Sequence, residues 1–160
     1  MTYWGLLIGC LLAASATGVP ASATPYAEKG TPMKVNMKVN QQVYRIELSD
    51  TPAARAFAQT LPVTLKMDDL NRNEKFAELA QALPTREARA GTIHAGDIML
   101  YGTQTLVVFY QTFSSDYRYT PLGKIVAPDG LEAGLGEGTA EVTFYLSLIH
   151  ISEPTRRVVI

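Results

Sequence analysis

Gly91–Phe113 reads GTIHAGDIMLYGTQTLVVFYQTF. Ile98–Tyr101 and Thr105–Tyr110 are rich in β-branched and aromatic residues. Gly102-Thr103-Gln104 between them supplies the short, glycine-bearing loop of a hairpin. The second arm, Leu106-Val107-Val108-Phe109-Tyr110, is apolar at consecutive positions, not alternate ones. That pattern predicts a strand covered on both faces, as in one wall of a small barrel. The rest of the chain reads as material that closes a β core around this hairpin.

Upstream, Met33–Val39 (MKVNMKV) alternates apolar and polar residues, Asn40-Gln41-Gln42 can turn, and Val43–Leu48 alternates again. Two such runs predict an antiparallel hairpin. Thr51 is a helix N-cap candidate, and Pro52 sits at the first helical position, where its missing N–H costs nothing. Ala53, Ala56, Phe57 and Leu61 share one face of that helix, Arg55 and Gln59 lie on another, and Pro62 stops it. Val63–Met67 predicts a third strand, ended by Asp68-Asp69. In Asn71–Pro84, Phe76, Leu79, Ala80 and Leu83 have helical spacing, which predicts a short helix. Thr85–Ala90 is polar and reads as loop.

Downstream, Ser114-Ser115-Asp116 reads as loop, followed by two short strands, Tyr117–Thr120 and Leu122–Val126. Asp129–Leu135 predicts a short helix with Gly134 or Gly136 near its C-cap, and Thr139–Tyr145 a closing strand. The fold class is therefore all-β: about seven or eight short strands with two or three short helices, closed as a barrel or sandwich.

The ends of the chain read differently. Leu6–Ala16 (LLIGCLLAASA) is too short to span a bilayer as a helix but has the length of a signal-peptide apolar region. Ala21-Ser22-Ala23 fits an A-x-A cleavage site, although Met1-Thr2-Tyr3-Trp4 lacks the usual basic residues. The expectation is export: residues 1–23 a signal peptide, 24–32 a linker, and a periplasmic or extracellular domain over 33–145. Leu7-Ile8-Gly9-Cys10 also resembles a bacterial lipobox, which makes a lipid anchor through Cys10 the alternative. Cleavage after Ala23 leaves no cysteine, hence no disulfide or thiol chemistry. Leu146–Arg156 (LSLIHISEPTR) resembles the in-frame translation of a transposon adapter used in preparing sequencing libraries. Residues 146–160 are accordingly set apart from the domain.

The formal net charge is −1, with acidic and basic residues mixed along the chain. This argues against a nucleic-acid footprint and against a polybasic membrane patch, and no segment predicts a membrane span in the mature chain.

Three segments, Thr51–Pro84 (TPAARAFAQTLPVTLKMDDLNRNEKFAELAQALP), Gly91–Phe113 and Tyr117–Ile125 (YRYTPLGKI), resemble the bacterial cyclophilin-like fold proteins. The resemblance covers roughly Met33–Phe144. It implies a closed barrel of about eight strands with short helices, and no assigned activity. True cyclophilins are prolyl isomerases with a phenylalanine-histidine-arginine string on one strand. No such string occurs in this chain, so no catalytic residue carries over.

Several short patterns reduce to ordinary structure. Asp69-Leu70-Asn71-Arg72-Asn73 begins like a calcium loop, but Glu74 stands where such a loop needs glycine and Ala80 where it needs glutamate. It reads as a polar turn. Gly134, Gly136 and Gly138 precede a strand, whereas a phosphate cradle opens a helix. They read as a helix cap and turn. His94 has no cysteine or second histidine with which to hold a metal, and no paired nucleophile. It reads as a surface loop residue. The candidate ligand-binding set is Arg55, Asn71, Glu74, Lys75, Tyr101 and Tyr110. These residues lie in the segments of strongest resemblance, several at strand ends, where barrels present pockets. The competing reading is a Glu74–Lys75 surface pair, a capping Asn71 and packing aromatics. The functional expectation is a binding module for a small molecule or peptide, with no catalytic residue, metal or cofactor. The alternative is a prolyl isomerase or other peptide-acting enzyme.

Overall fold

The computed structural model describes residues 32–148. In chain order its elements are β1 (Lys34–Val39), β2 (Gln42–Leu48), α1 (Pro52–Gln59), β3 (Val63–Leu70), β4 (Glu74–Glu78), β5 (Ala88–Ile93), β6 (Asp97–Tyr101), β7 (Thr105–Phe109), β8 (Phe113–Ile125), α2 (Leu131–Leu135) and β9 (Ala140–Leu146). The strands pair antiparallel in the order β2-β1-β9-β3-β4-β7-β6-β8, and β8 returns to β2. Eight strands thus close a barrel, which removes the free edges an open sheet would present. β5 lies outside the ring, paired to the N-terminal half of β8.

The expected hairpin is present: β6 and β7 pair from Tyr101↔Thr105 to Ile98↔Val108. Gly102 takes a φ of +59° at the turn, a conformation glycine adopts without strain. β7 is buried on both faces, as its unbroken apolar run requires. Leu106 and Val108 join the barrel interior with Val35, Met37, Ile46, Val142 and Phe144. Val107 and Phe109 join a second cluster outside the wall, with Ile93 and Tyr119. The sheet extension formed by β5 and the first half of β8 covers that outer cluster.

α1 forms as its capping residues dictate: the Thr51 hydroxyl accepts the Ala54 N–H at 3.2 Å, and Pro52 opens the first turn. Its buried residues are Ala53, Ala54, Phe57 and Ala58, a face slightly rotated from the one expected. Phe57 meets Phe144 edge-on at 5.7 Å.

Four local expectations are corrected. β3 does not end at Asp68-Asp69 but runs through them to Leu70. The helix expected in Asn71–Pro84 is absent. Asn71 and Arg72 turn the chain with φ of +54° and +56°, and β4 pairs with β3 and β7. The helical spacing is an accident of two different segments. Ala77 is a strand residue, whereas Leu79 and Leu83 belong to a loop whose N–H groups donate to Gln104 and Thr103 on the β6–β7 turn. The polar Thr85–Ala90 loop gives way to strand at Ala88, and the supposed loop Ser114–Asp116 lies inside one continuous strand, β8. In both places the strand partner is β5 against β8, a pairing that local composition does not reveal.

β9 includes Leu146, opposite Val35, and the Ser147 N–H donates to the Lys34 carbonyl at 3.0 Å. The segment expected as a signal peptide, Cys10 within it, and residues 149–160 lie outside the described residues.

Candidate functional site

The β3–β4 turn separates two depressions. The first is the barrel mouth, a cavity of about 620 Å³ bordered by Asp69, Arg72, Tyr110, Glu132 and the Gly136–Gly138 loop. Lys75 points into the interior because β4 alternates, and its side chain is fully buried. Its ammonium lies 3.0 Å from an Asp69 carboxylate oxygen and donates to the Gly138 carbonyl. Tyr110 donates its hydroxyl proton to the same Asp69 oxygen at 2.5 Å, and its ring centroid is 5.9 Å from the Lys75 nitrogen. Burial pushes the Asp69 carboxyl up, but hydrogen bonds from Tyr110, Lys75 and the Arg72 N–H together hold it below its usual range. Burial and the Asp69 charge raise the Tyr110 hydroxyl well above its ordinary value. The charge of Lys75 is thus consumed within the protein, and the network closes the barrel end. The glycine loop offers Lys75 a carbonyl, the opposite polarity to a phosphate cradle.

The second depression is a groove of about 730 Å³ on the outer wall. The β3–β4 turn and the start of β4 form one side, with Asn71, Asn73, Glu74 and Phe76. Tyr101, Thr105 and Val107 form the floor, and the first half of β8, Phe113–Tyr119, forms the far side. Tyr101 is the centre of an aromatic wall, with ring centroids 6.4 Å from Tyr117 and 5.6 Å from Tyr119. Tyr101 and Tyr117 are 48% and 66% exposed, so this wall is open to solvent. Phe109 links Phe113 and Tyr119 beneath it, at 5.8 and 5.5 Å.

Glu74 stands at the edge of the groove with 8% of its surface exposed. Burial, reinforced by the Asp69 charge, pushes its carboxyl up to about 7. Burial and the nearby Glu74 charge likewise raise the Tyr119 hydroxyl.

A match to the model of the cyclophilin-like family covers residues 37–145, which include every strand of the barrel except the first residues of β1 and the last of β9. The chain belongs to the cyclophilin-like family. No curated protein matches it. Among solved structures, this cyclophilin-like domain is similar to the solution structure of the hypothetical protein AF2241 from Archaeoglobus fulgidus. The TM-score is 0.56 at 19% identity, over 76% of this chain and 99% of that one. At that identity the likeness is one of fold.

The six residues singled out from the sequence do not form one site. Asn71, Glu74 and Tyr101 line the groove, while Lys75 and Tyr110 belong to the barrel mouth. Glu74 and Lys75, expected either as co-ligands or as a surface pair, are both buried and face opposite sides of the wall. Arg55 lies on α1, half exposed and ion-paired to Asp50, and borders neither depression. His94 is an exposed loop residue, its N–H donating to Asp97 at 2.9 Å. Sequence reasoning missed Phe76, Phe113, Tyr117 and Tyr119. Tyr117 and Tyr119 are two apart on a strand and so share a face, but the break placed at Ser114–Asp116 concealed the strand's length.

Proposed function

We propose that this cyclophilin-like domain is a binding module whose ligand, a small molecule with an aromatic or apolar body, seats in the groove between the β3–β4 turn and β8. The observation that carries the reading is the solvent-open aromatic wall of Tyr101, Tyr117 and Tyr119 beside a deeply buried carboxyl. The groove's volume falls in the range of about 300–1,000 Å³ common to small-molecule sites. Tyrosines bury large area with two rotatable angles, so ordering them on a ligand costs little entropy. The barrel interior is filled by side chains, and at the barrel mouth Asp69, Lys75 and Tyr110 satisfy one another. The test is ligand-observed NMR of the full chain against a set of small aromatic compounds. Binders should lose their signal change in Tyr101→Ala and Tyr117→Ala. Binding indifferent to both substitutions would overturn the reading.

We propose in addition that the chain is exported, from the apolar run Leu6–Ala16 and the Ala21-Ser22-Ala23 site. Expression in a bacterium should yield a periplasmic protein starting at Thr24. Intact Met1 in the cytoplasm would overturn this, and a lipidated N-terminal Cys10 would replace it with the anchored form.

A further inference from the structure

The groove carries charge of one sign. Glu74 and Asp116 line it, and none of the lysines or arginines of the described residues does. Glu74 is buried and forms no ion pair among the described residues. Lys75, its neighbour in sequence, lies across the wall and is committed to Asp69 and Gly138. The Asn73 side-chain oxygen is also buried without a partner among the described residues, and Asn73 borders the same groove. The groove therefore sets a carboxyl without an ion-pair partner beside a cluster of tyrosine rings, whose π systems attract cations.

A carboxylate held at a partly desolvated groove without a counter-charge favours a ligand that brings one. An anion would meet two carboxyls and the π faces. A hard metal ion takes about six or more oxygens, and the described residues contain no group of three or more histidine, cysteine, aspartate or glutamate side chains placed to hold one. An ammonium group on an apolar body fits both features, through an ion pair to the carboxylate and cation–π contact with the rings.

We propose that the groove binds an organic ammonium ion, with Glu74 as its counter-charge and Tyr101, Tyr117 and Tyr119 as the wall that receives its cationic head. This rests on the groove being a ligand site at all. The elevated carboxyl of Glu74 supports it, because an unpaired buried carboxylate is a charge waiting for a partner. The titratable groups facing Glu74 are Asp69 through the wall and Tyr101, Tyr117, Tyr119 and Asp116 along the groove.

The experiment titrates the full chain at pH 8 with three probes that share one phenyl ring and carry a small polar head: benzylammonium, benzyl alcohol and benzenesulfonate. The ammonium should bind about tenfold or more tightly than the alcohol, and the sulfonate weakest. Glu74→Gln should bring ammonium and alcohol to near parity. Asp116→Asn, at an exposed position that leaves the fold intact, should weaken the ammonium alone. Raising the salt from about 20 to 300 mM should do the same, so the inference stays exposed to test even if Glu74→Gln does not fold. Equal affinity for ammonium and alcohol, with both lost in Tyr117→Ala, would overturn the cation inference and leave the groove reading standing. No binding of any probe, or binding indifferent to Tyr101→Ala and Tyr117→Ala, would overturn both.

Discussion

Glu74 and Lys75 are adjacent in sequence and meet opposite fates. Lys75 is paired inside the barrel, while Glu74 is buried at the groove with no ion-pair partner among the described residues. The carboxyl of Glu74 sits at about 7 in the folded chain against 4.5 for the free group. The folded state therefore keeps a proton that the unfolded chain has released between those values. Its contribution to stability is complete below about pH 4.5 and is lost as pH rises through 7. Glu74→Gln should stabilise the domain at pH 8 by about 1–3 kcal/mol and leave it unchanged at pH 4.5, measured by urea denaturation at both. Asp69 behaves oppositely. Its lowered carboxyl supports the fold above its unfolded value near 3.8 and ceases to do so on acidification. Asp69→Ala strands the fully buried ammonium of Lys75 and should cost about 3–5 kcal/mol, whereas Lys75→Met removes the charge with its burial cost and should cost no more than about 1 kcal/mol. Equal losses in the two variants would show that the Lys75 charge is not buried as described.

The β3–β4 hairpin is the element on which the site depends, since its turn forms one side of the groove and its strand aims Glu74 outward and Lys75 inward. The turn holds Arg72 at a φ of +56°, where a side chain is strained. The Arg72 N–H donates to the Asp69 carboxylate at 3.0 Å, a bond that any residue but proline can make. Arg72→Gly should therefore be neutral to stabilising, by up to about 1 kcal/mol, read as a rise in Tm. A fall of several degrees would mean that the guanidinium, which borders the barrel mouth, holds the turn in some other way.

The barrel as a whole closes where β8 meets β2, through the pairs Leu48↔Gly123, Glu47↔Lys124 and Ile46↔Ile125. A Cβ on Gly123 would stand 2.5 Å from the Glu47 carbonyl oxygen and 3.0 Å from the Leu48 Cα. These are backbone atoms of the closing strand, which cannot swing aside as a side chain does. Gly123→Ala should cost about 2–4 kcal/mol and lower the Tm accordingly, with the β2–β8 amides exchanging first. An unchanged Tm would show that the seam tolerates separation. The overall arrangement also bears on isomerase activity. Catalysis of prolyl rotation needs a donor such as a guanidinium beside a fitted apolar pocket. Arg55 is held at α1 by Asp50, away from both depressions, and no lysine or arginine lines the groove. The full chain at micromolar concentration should give no acceleration of cis–trans exchange in a proline tetrapeptide. A rate rising linearly with protein and abolished by Arg55→Ala would establish the isomerase reading instead.

Features set by neighbours along the chain were legible in the residues alone. The β6–β7 hairpin follows from Gly102 between two β-rich arms, the two-sided burial of β7 from its unbroken apolar run, and the start of α1 from Thr51 and Pro52. Each rests on local backbone preference or on a period of two, and both are properties of a few consecutive residues. The helix wrongly expected over Asn71–Pro84 marks where that information ends. Asn71 and Arg72 adopt positive φ, and β4 finds edges on both β3 and β7 to bond with, so long-range hydrogen bonding overrides local spacing. The site was legible only in part for the same reason. Glu74, Asn71 and Tyr101 could be named as polar and aromatic residues near strand ends, but their separation from Lys75 and Tyr110 depends on which side of a closed wall each one faces. Their meeting with Tyr117 and Tyr119 depends on β8 passing beyond the ring to pair with β5. Barrel closure brings together residues some forty positions apart, and no local pattern encodes that contact.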